Sequence, residues 1–253
     1  MVKIMYKNCR KQKYVKLIIT LLFITITVIA EAVFQSSPKM IAEQERWIKG
    51  LRELKYLKEN IVNAMANVPR EFFVPAGKQN QTYENVNIPI GYGQTITKSY
   101  VVAYMTNKLD LQPSDKVLEI GSGSGYQASI LYQLTKNVYS IEIVEPLAVQ
   151  AAKRWKDMGY NNIKGKTADG YFGWAEHAPF DKIIVTCAAD HVPTYLLQQL
   201  KAGGTMIIPV GNPFDHQTLL LIKKRDDGKI VTQRLHVVKF VPFTGKMLEK
   251  IRK

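Results

Sequence analysis

The sequence predicts an α/β fold: a doubly wound, mostly parallel sheet with a C-terminal antiparallel hairpin and an N-terminal helical extension. Three observations predict it. From Ser99 onward, short β-branched runs alternate with segments of helical period. The run Val117-Leu118-Glu119-Ile120 passes directly into Gly121-Ser122-Gly123-Ser124-Gly125, a strand feeding a turn with glycine at every second position. The last two apolar runs flank Asp226-Asp227-Gly228-Lys229, a hairpin signal.

In chain order, Ser36-Ser37-Pro38 forms a short linker and a helix start. Residues 39–66 then carry Ile41, Ile48, Leu51, Leu54, Leu57, Ile61 and Met65 at helical intervals, a pair of helices broken near Gly50 or Tyr56. Val68-Pro69-Arg70 ends them. Residues 76–98 are rich in Gly, Asn, Gln and Thr with little periodicity, too long for an idle connection, so a functional loop is expected there. A helix at about 99–109, a strand at 116–120, a helix at 126–135, a strand at 138–142, a helix at 145–158 and a short strand near 163 follow. Strands at 181–187 and 205–210 enclose a helix at about 193–200, and strands at 217–224 and 230–240 make the hairpin. The expected domains are a signal peptide or membrane anchor over 1–32, the helical extension over 33–75 and the α/β domain over 76–253.

The leader stands apart in composition. Lys3, Lys7, Arg10, Lys11, Lys13 and Lys16 precede an apolar run from Leu17 to Ala30, and no acid comes before Glu31. That is a cationic n-region and an h-region, and Ala30-Glu31-Ala32 supplies the small residues of a cleavage site. The run is about 14 residues, short of the ~20 that span a bilayer comfortably. The sequence therefore predicts an exported, periplasmic protein. The alternatives are an inner-membrane anchor contacting the membrane through residues 17–34 and a cytoplasmic protein. Export raises a difficulty, because a cofactor made in the cytoplasm must then cross a membrane, while the basic n-region keeps the N-terminus inside. The chain carries a net charge of +14, and removing 1–32 takes away six cations and one acid, leaving 14 − 6 + 1 = +9. A basic surface attracts nucleic acid, anionic lipid and acidic peptides alike, so charge does not choose among them. Of the two cysteines, Cys9 lies in the n-region, and Cys187 in an apolar stretch reads as a buried small hydrophobe.

Without Cβ, Gly121, Gly123 and Gly125 accept positive φ and let backbone N–H groups approach a ligand closely. A dinucleotide loop needs Gly-x-Gly-x-x-Gly, but here the third glycine comes one residue early and Tyr126 fills the slot. Glu119, two residues before the first glycine, separates the classes further, since a cationic sulfonium with an amino-acid tail favours a carboxylate and a pyrophosphate does not. The pattern points to S-adenosylmethionine, with Gly121, Ser122 and Gly123 in the cradle. Glu142, at the end of the next strand, is placed to accept the ribose hydroxyls of an adenosine. Asp169-Gly170, after the third strand, is placed for the adenine amino group. The plain alternatives are exposed strand-end acids and an ordinary Asp-Gly turn.

Beyond the cofactor loop, several strings occur in order and at ordinary spacing. They are Val68-Pro69-Arg70-Glu71-Phe72-Phe73-Val74-Pro75, Pro89-Ile90-Gly91-Tyr92-Gly93-Gln94-Thr95-Ile96-Thr97, Ala178-Pro179-Phe180-Asp181, Leu200-Lys201-Ala202-Gly203-Gly204, Pro209-Val210-Gly211 and Phe240-Val241-Pro242-Phe243. Over about residues 40–245 the chain resembles the protein-L-isoaspartate O-methyltransferase family, and the leader lies outside that resemblance. The resemblance implies a Rossmann-like methyltransferase that methylates the free carboxylate of an isoaspartyl residue in a damaged protein, with S-adenosylmethionine as donor and no metal. Its partners are then isoaspartyl proteins and peptides rather than nucleic acid, and it acts as a monomer. The composition agrees, because a carboxylate is already a nucleophile at neutral pH, and His177, His191, His216 and His236 lack zinc-like spacing.

The loop 85–97 is the expected pocket wall, with Gln94 and Thr95 toward the cofactor. Where the family usually reads Gln-Thr-Ile-Ser-Gln-Pro, this chain has Gln94-Thr95-Ile96-Thr97-Lys98-Ser99. The resemblance thus makes Thr97 the catalytic hydroxyl donor to the reacting carboxylate, with helix N-capping as its plain alternative. Lys98 adds attraction for an acidic substrate. Two other classes remain open: a nucleic-acid methyltransferase, and a non-catalytic exported binding protein with a decayed site. Against the first, the fourth strand leads to Thr186-Cys187-Ala188-Ala189-Asp190 rather than Asn/Asp-Pro-Pro-aromatic.

Overall fold

The computed structural model describes residues 36–246, so the leader expected over 1–32 lies outside the described residues. By internal contacts the chain divides into two units, residues 1–41 and 42–253. Of the first unit, residues 36–41 are described and hold the start of helix α1 (Pro38–Glu53). No helix among the described residues is long and apolar enough to cross a membrane.

In the second unit, α1 buries Trp47, Ile48 and Leu51, and α2 (Glu59–Ala66) buries Ile61, Val62 and Met65, one stripe on each helix. The break falls at the turn around Tyr56, not at Gly50: Leu57 N donates to Leu54 O at 2.9 Å while Gly50 stays inside α1. A 3-10 turn over Arg70–Phe73 follows.

The stretch 76–98, which the sequence presents as a loop, contains a two-stranded antiparallel sheet. Strand β1 (Ile88–Gly91) pairs with β2 (Gln94–Ile96), with Ile88 opposite Ile96 and Pro89 opposite Thr95. Strands this short carry too few alternations for periodicity to register. Their core signal is confined to Ile88 and Ile96, both buried.

The main sheet comprises β3 (Lys116–Ile120), β4 (Asn137–Glu142), β5 (Lys164–Thr167), β6 (Phe180–Val185), β7 (Leu200–Gly211), β8 (Gln217–Lys224) and β9 (Ile230–Val238). Its order is β5-β4-β3-β6-β7-β8-β9, parallel from β5 to β7 and antiparallel through β8 and β9. The helices between are α3 (Ser99–Leu109), α4 (Tyr126–Leu134), α5 (Glu145–Asp157) and α6 (Thr194–Gln199). Strand β7 begins at Leu200 rather than near 205, because Leu200 pairs with Phe180 ahead of an irregularity in the register. The hairpin turn is as the sequence predicts, with Arg225 N donating to Lys229 O at 2.8 Å.

The inner strands β3 and β6 are covered on both faces and read mostly apolar over Val117–Ile120 and Ile183–Val185, whereas the edge strand β5 is polar and largely exposed. Alternation sends Val117, Ile184 and Ile207 to a core beneath Met105, Leu131 and Trp155, and Leu118, Ile183 and Met206 to the opposite core with Leu196 and Phe243. The chain leaves β3 toward β4 on one side and returns to β6 on the other. The switch point of the sheet therefore lies between the carboxyl ends of β3 and β6, where open α/β sheets place their ligands.

Candidate active site

A cavity sits over that switch point. Its walls are β2 and Thr97, the glycine loop, Glu142 at the end of β4, Gly170, Thr186 and Cys187 after β6, and residues 240–244. The structure brings Gln94, Thr95, Thr97, Gly121, Ser122, Gly123, Glu142 and Gly170 to this one cavity.

The turn after β3 is built for close approach. Gly121 has φ 96°, and a Cβ there would lie 2.6 Å from Thr186 Oγ1. Thr186 Oγ1 lies 2.9 Å from the Ile120 carbonyl oxygen and 2.7 Å from that of Gly121, so one hydroxyl ties the ends of β6 and β3 at the switch point. Gly123 has φ 51°, and its N–H donates to Glu142 Oε2 at 2.8 Å. The other carboxylate oxygen accepts from Val144 N at 2.9 Å. Two backbone donors thus aim the nearly buried Glu142 side chain at the cavity wall.

Two expected site residues fall outside the lining. The sequence sets Glu119 beside a cationic cofactor, but strand alternation turns it to the face opposite Ile120, where it has no exposure and accepts a hydrogen bond from Ser140. Burial, with a smaller contribution from the Glu142 charge, pushes its carboxyl up to about 8, although the Ser140 hydroxyl pulls the other way. At neutral pH it is largely the uncharged acid, a support behind the wall. The Asp169 carboxylate is taken up by backbone instead: Oδ1 accepts from Tyr171 N at 2.9 Å and Oδ2 from Lys246 N at 2.8 Å. Its neighbour Gly170 does line the cavity, and a Cβ there would come within 2.4 Å of Ile120 Cγ2.

Thr97 is half-buried on the cavity rim. The residue capping α3 is Lys98, with no side-chain capping bond, so capping does not occupy Thr97. Its backbone is held from below: the fully buried Arg70 donates from Nη2 to Thr97 O at 2.7 Å and from Nε to Thr82 O at 2.9 Å. The sequence does not single out Arg70, Thr186 or residues 240–244 as site residues. Two signals bear on them, since Arg70 and residues 240–243 stand in the recurring strings and Thr186 directly follows the switch-point strand. Ala188 N donates to Val241 O and Phe243 N to Ala188 O, both at 2.8 Å, which pins the final segment over the cavity. Cys187, expected from the sequence as a buried small hydrophobe, is half-buried in the cavity lining, and desolvation, then Glu142 and Asp169, push its thiol up and leave it neutral. Among the described residues no group of three or more His, Cys, Asp or Glu side chains is arranged to hold a metal ion.

Comparison with known proteins agrees with this geometry. The family model described as protein-L-isoaspartate(D-aspartate) O-methyltransferase matches residues 29–248. A protein-L-isoaspartate O-methyltransferase 2 of Syntrophobacter fumaroxidans is 53% identical over 189 residues, which is 75% of this chain and 76% of the relative. One of the same name from Shewanella sediminis is 43% identical over 238 residues, covering 94% of this chain and 97% of the relative. A solved protein-L-isoaspartate O-methyltransferase superposes with a TM-score of 0.74 at 26% identity, covering 83% of this chain and 69% of that one. With the same strings spread along the chain and the cavity they converge on, the chain belongs to the protein-L-isoaspartate(D-aspartate) O-methyltransferase family.

Proposed function

We infer that this chain is a protein-L-isoaspartate O-methyltransferase, moving a methyl group from S-adenosylmethionine to the free carboxylate of L-isoaspartyl residues in damaged proteins and so initiating their repair. Family membership supports the reaction. The observation that carries it at the site is the convergence of the glycine cradle, Glu142 and Thr97 on one cavity at the switch point.

The residues fit the donor molecule. At Gly123 the space a Cβ would occupy has only Ile90 Cδ1 near it, at 3.5 Å, and Glu142 offers carboxylate lone pairs to ribose hydroxyls while Gly170 lets backbone pass close by. Bound there, S-adenosylmethionine supplies an activated methyl group. The substrate carboxylate is already an anion, so the chain needs no general base. The work left to the protein is alignment and water exclusion. Thr97 donates its hydroxyl to the carboxylate, Gln94 and Thr95 shape the donor side, and residues 240–244 cover the cavity. The methyl ester then closes to a succinimide that reopens partly as aspartate without further enzyme chemistry. We also propose that residues 1–32 export the chain. The basic n-region, the apolar run and Ala30-Glu31-Ala32 support this.

Labelled S-adenosylmethionine offered with an isoaspartyl peptide, its aspartyl twin and RNA tests the reading. Label is expected in the isoaspartyl peptide alone. Label in RNA, or in none of the three, overturns it.

A further inference from the structure

Helix α3 lines two different spaces. Val102 and Met105 face the reaction cavity, whereas Tyr100, Tyr104 and Lys108 line a groove on its other side, with Lys98 at one end and residues 236–238 of β9 across from it. The floor is aromatic: the Tyr104 ring lies 4.9 Å from His236 and 5.9 Å from Tyr56, and Lys108 Nζ stands 5.6 Å over the same ring. Among the described residues no carboxylate lines this groove. Several lysines elsewhere are paired, Lys58 with Asp110 and Lys201 with Asp181, but among the described residues neither Lys98 nor Lys108 has an ion-pair partner.

We propose that this groove holds the polypeptide flanking the isoaspartyl residue and selects acidic side chains there. The proposal rests on reading the cavity at Thr97 as the methyl-transfer site. Lys98 follows Thr97 directly, so the groove starts where the reacting carboxylate is held. Along α3 the two lysines are about 15 Å apart at ~1.5 Å per residue, and an extended peptide covers that in four or five residues at ~3.3 Å each. An acidic side chain one or two residues from the isoaspartate meets Lys98, and one about five residues away meets Lys108. The tyrosines supply apolar area and hydroxyls to an extended chain of either polarity. The two ammonium groups, with no carboxylate to neutralise them, supply the selection.

The test compares kcat/KM for isoaspartyl peptides of one length whose flanks carry Glu, Gln or Lys at those positions, with wild type and Lys108→Gln. We expect the order Glu, Gln, Lys, with a gap of roughly threefold to tenfold at each step through KM, as suits partly exposed charge pairs. The gap should close in 0.5 M salt and shrink in Lys108→Gln. Equal kcat/KM for all three peptides overturns the groove, as does a Glu preference unchanged in Lys108→Gln, and in both cases the methyl-transfer reading stands. Methylation of none of the three peptides removes that reading and the groove with it.

Discussion

Arg70 donates from Nη2 to the carbonyl oxygen of Thr97 across 2.7 Å, from a position with no solvent exposure. The same guanidinium reaches Thr82 O through Nε, and its central carbon lies 4.7 Å over the ring of Tyr126, the first residue of α4 after the glycine loop. One buried cation therefore joins the segment before the β1–β2 hairpin, the rim residue Thr97 and the helix that leaves the cofactor loop. Desolvation lowers its pKa, and the carbonyls and the Tyr126 π face offset part of that cost. A lysine ammonium cannot serve two carbonyls and a ring face in the same fork geometry. Arg70→Lys should lower kcat/KM roughly tenfold to a hundredfold, the equivalent of about 1.5–3 kcal/mol for a charged hydrogen bond, while cofactor Kd moves much less. Measured well below Tm, wild-type kcat in Arg70→Lys would reduce the link to a purely structural one.

At Thr97 itself the substitution to read is Thr97→Val, which keeps the branched shape and removes the hydroxyl. Because α3 takes no side-chain cap from this position, Tm should hold within about 2 °C. Losing one hydrogen bond to a charged group should lower kcat/KM roughly tenfold to a hundredfold, and Thr97→Ser should keep most of the activity. A valine variant that methylates isoaspartyl peptide at the wild-type rate removes Thr97 from the mechanism.

What the sequence reveals and what it hides divide along physical lines. The alternating strands and helices from Ser99 onward are legible because burial on both faces of a parallel sheet demands long apolar runs, and the hairpin at residues 226–229 is legible from its turn residues. The β1–β2 pair is not, since strands of three and four residues give no period. Gly121, Gly123 and Glu142, expected from the sequence at the cofactor, come together at the cavity because strand ends at a switch point are fixed by topology. Glu119 does not, because strand polarity at a single position is lost once both faces are apolar: its spacing to Gly121 is legible, its facing is not. Arg70 lies 27 residues from its partner Thr97, and nothing local in the sequence announces a contact of that range.

The glycines should respond unequally. A Cβ at Gly121 meets Thr186 Oγ1 at 2.6 Å, so Gly121→Ala disturbs the hydroxyl that ties β3 to β6 and should lower Tm as well as cofactor affinity. At Gly123 an added methyl group would find Ile90 Cδ1 as its nearest atom, at 3.5 Å, and the remaining cost is that of φ 51° for alanine, ~1–2 kcal/mol. Gly123→Ala should therefore stay folded and bind S-adenosylmethionine roughly tenfold or more weakly by titration calorimetry. Unchanged affinity in folded Gly123→Ala takes the glycine loop out of the binding site.

For the leader, mass spectrometry of the protein from its native envelope should find a mature N-terminus at or near Val33. A chain beginning at Met1 and extracted only with the membrane would establish the anchor instead.

Glu119 gives the pH dependence. Its carboxyl is pushed up to about 8 in the folded protein, against an ordinary value of 4.5. Between those two values the unfolded chain has released the proton and the folded chain still holds it, so the folded state binds more protons. Stability then falls as pH rises across that interval, by at most about 1.4 kcal/mol per pH unit from this group, and levels off above the folded value. Glu119→Gln keeps the shape and polarity of the neutral acid and cannot ionise. It should match wild-type Tm near pH 5, exceed it by pH 8, and leave Kd for S-adenosylmethionine little changed, since residue 119 does not line the cavity. Parallel Tm profiles for the two proteins from pH 5 to 8 would show that Glu119 is already ionised in the fold. A large loss of cofactor affinity in the glutamine variant would return the residue to the binding site.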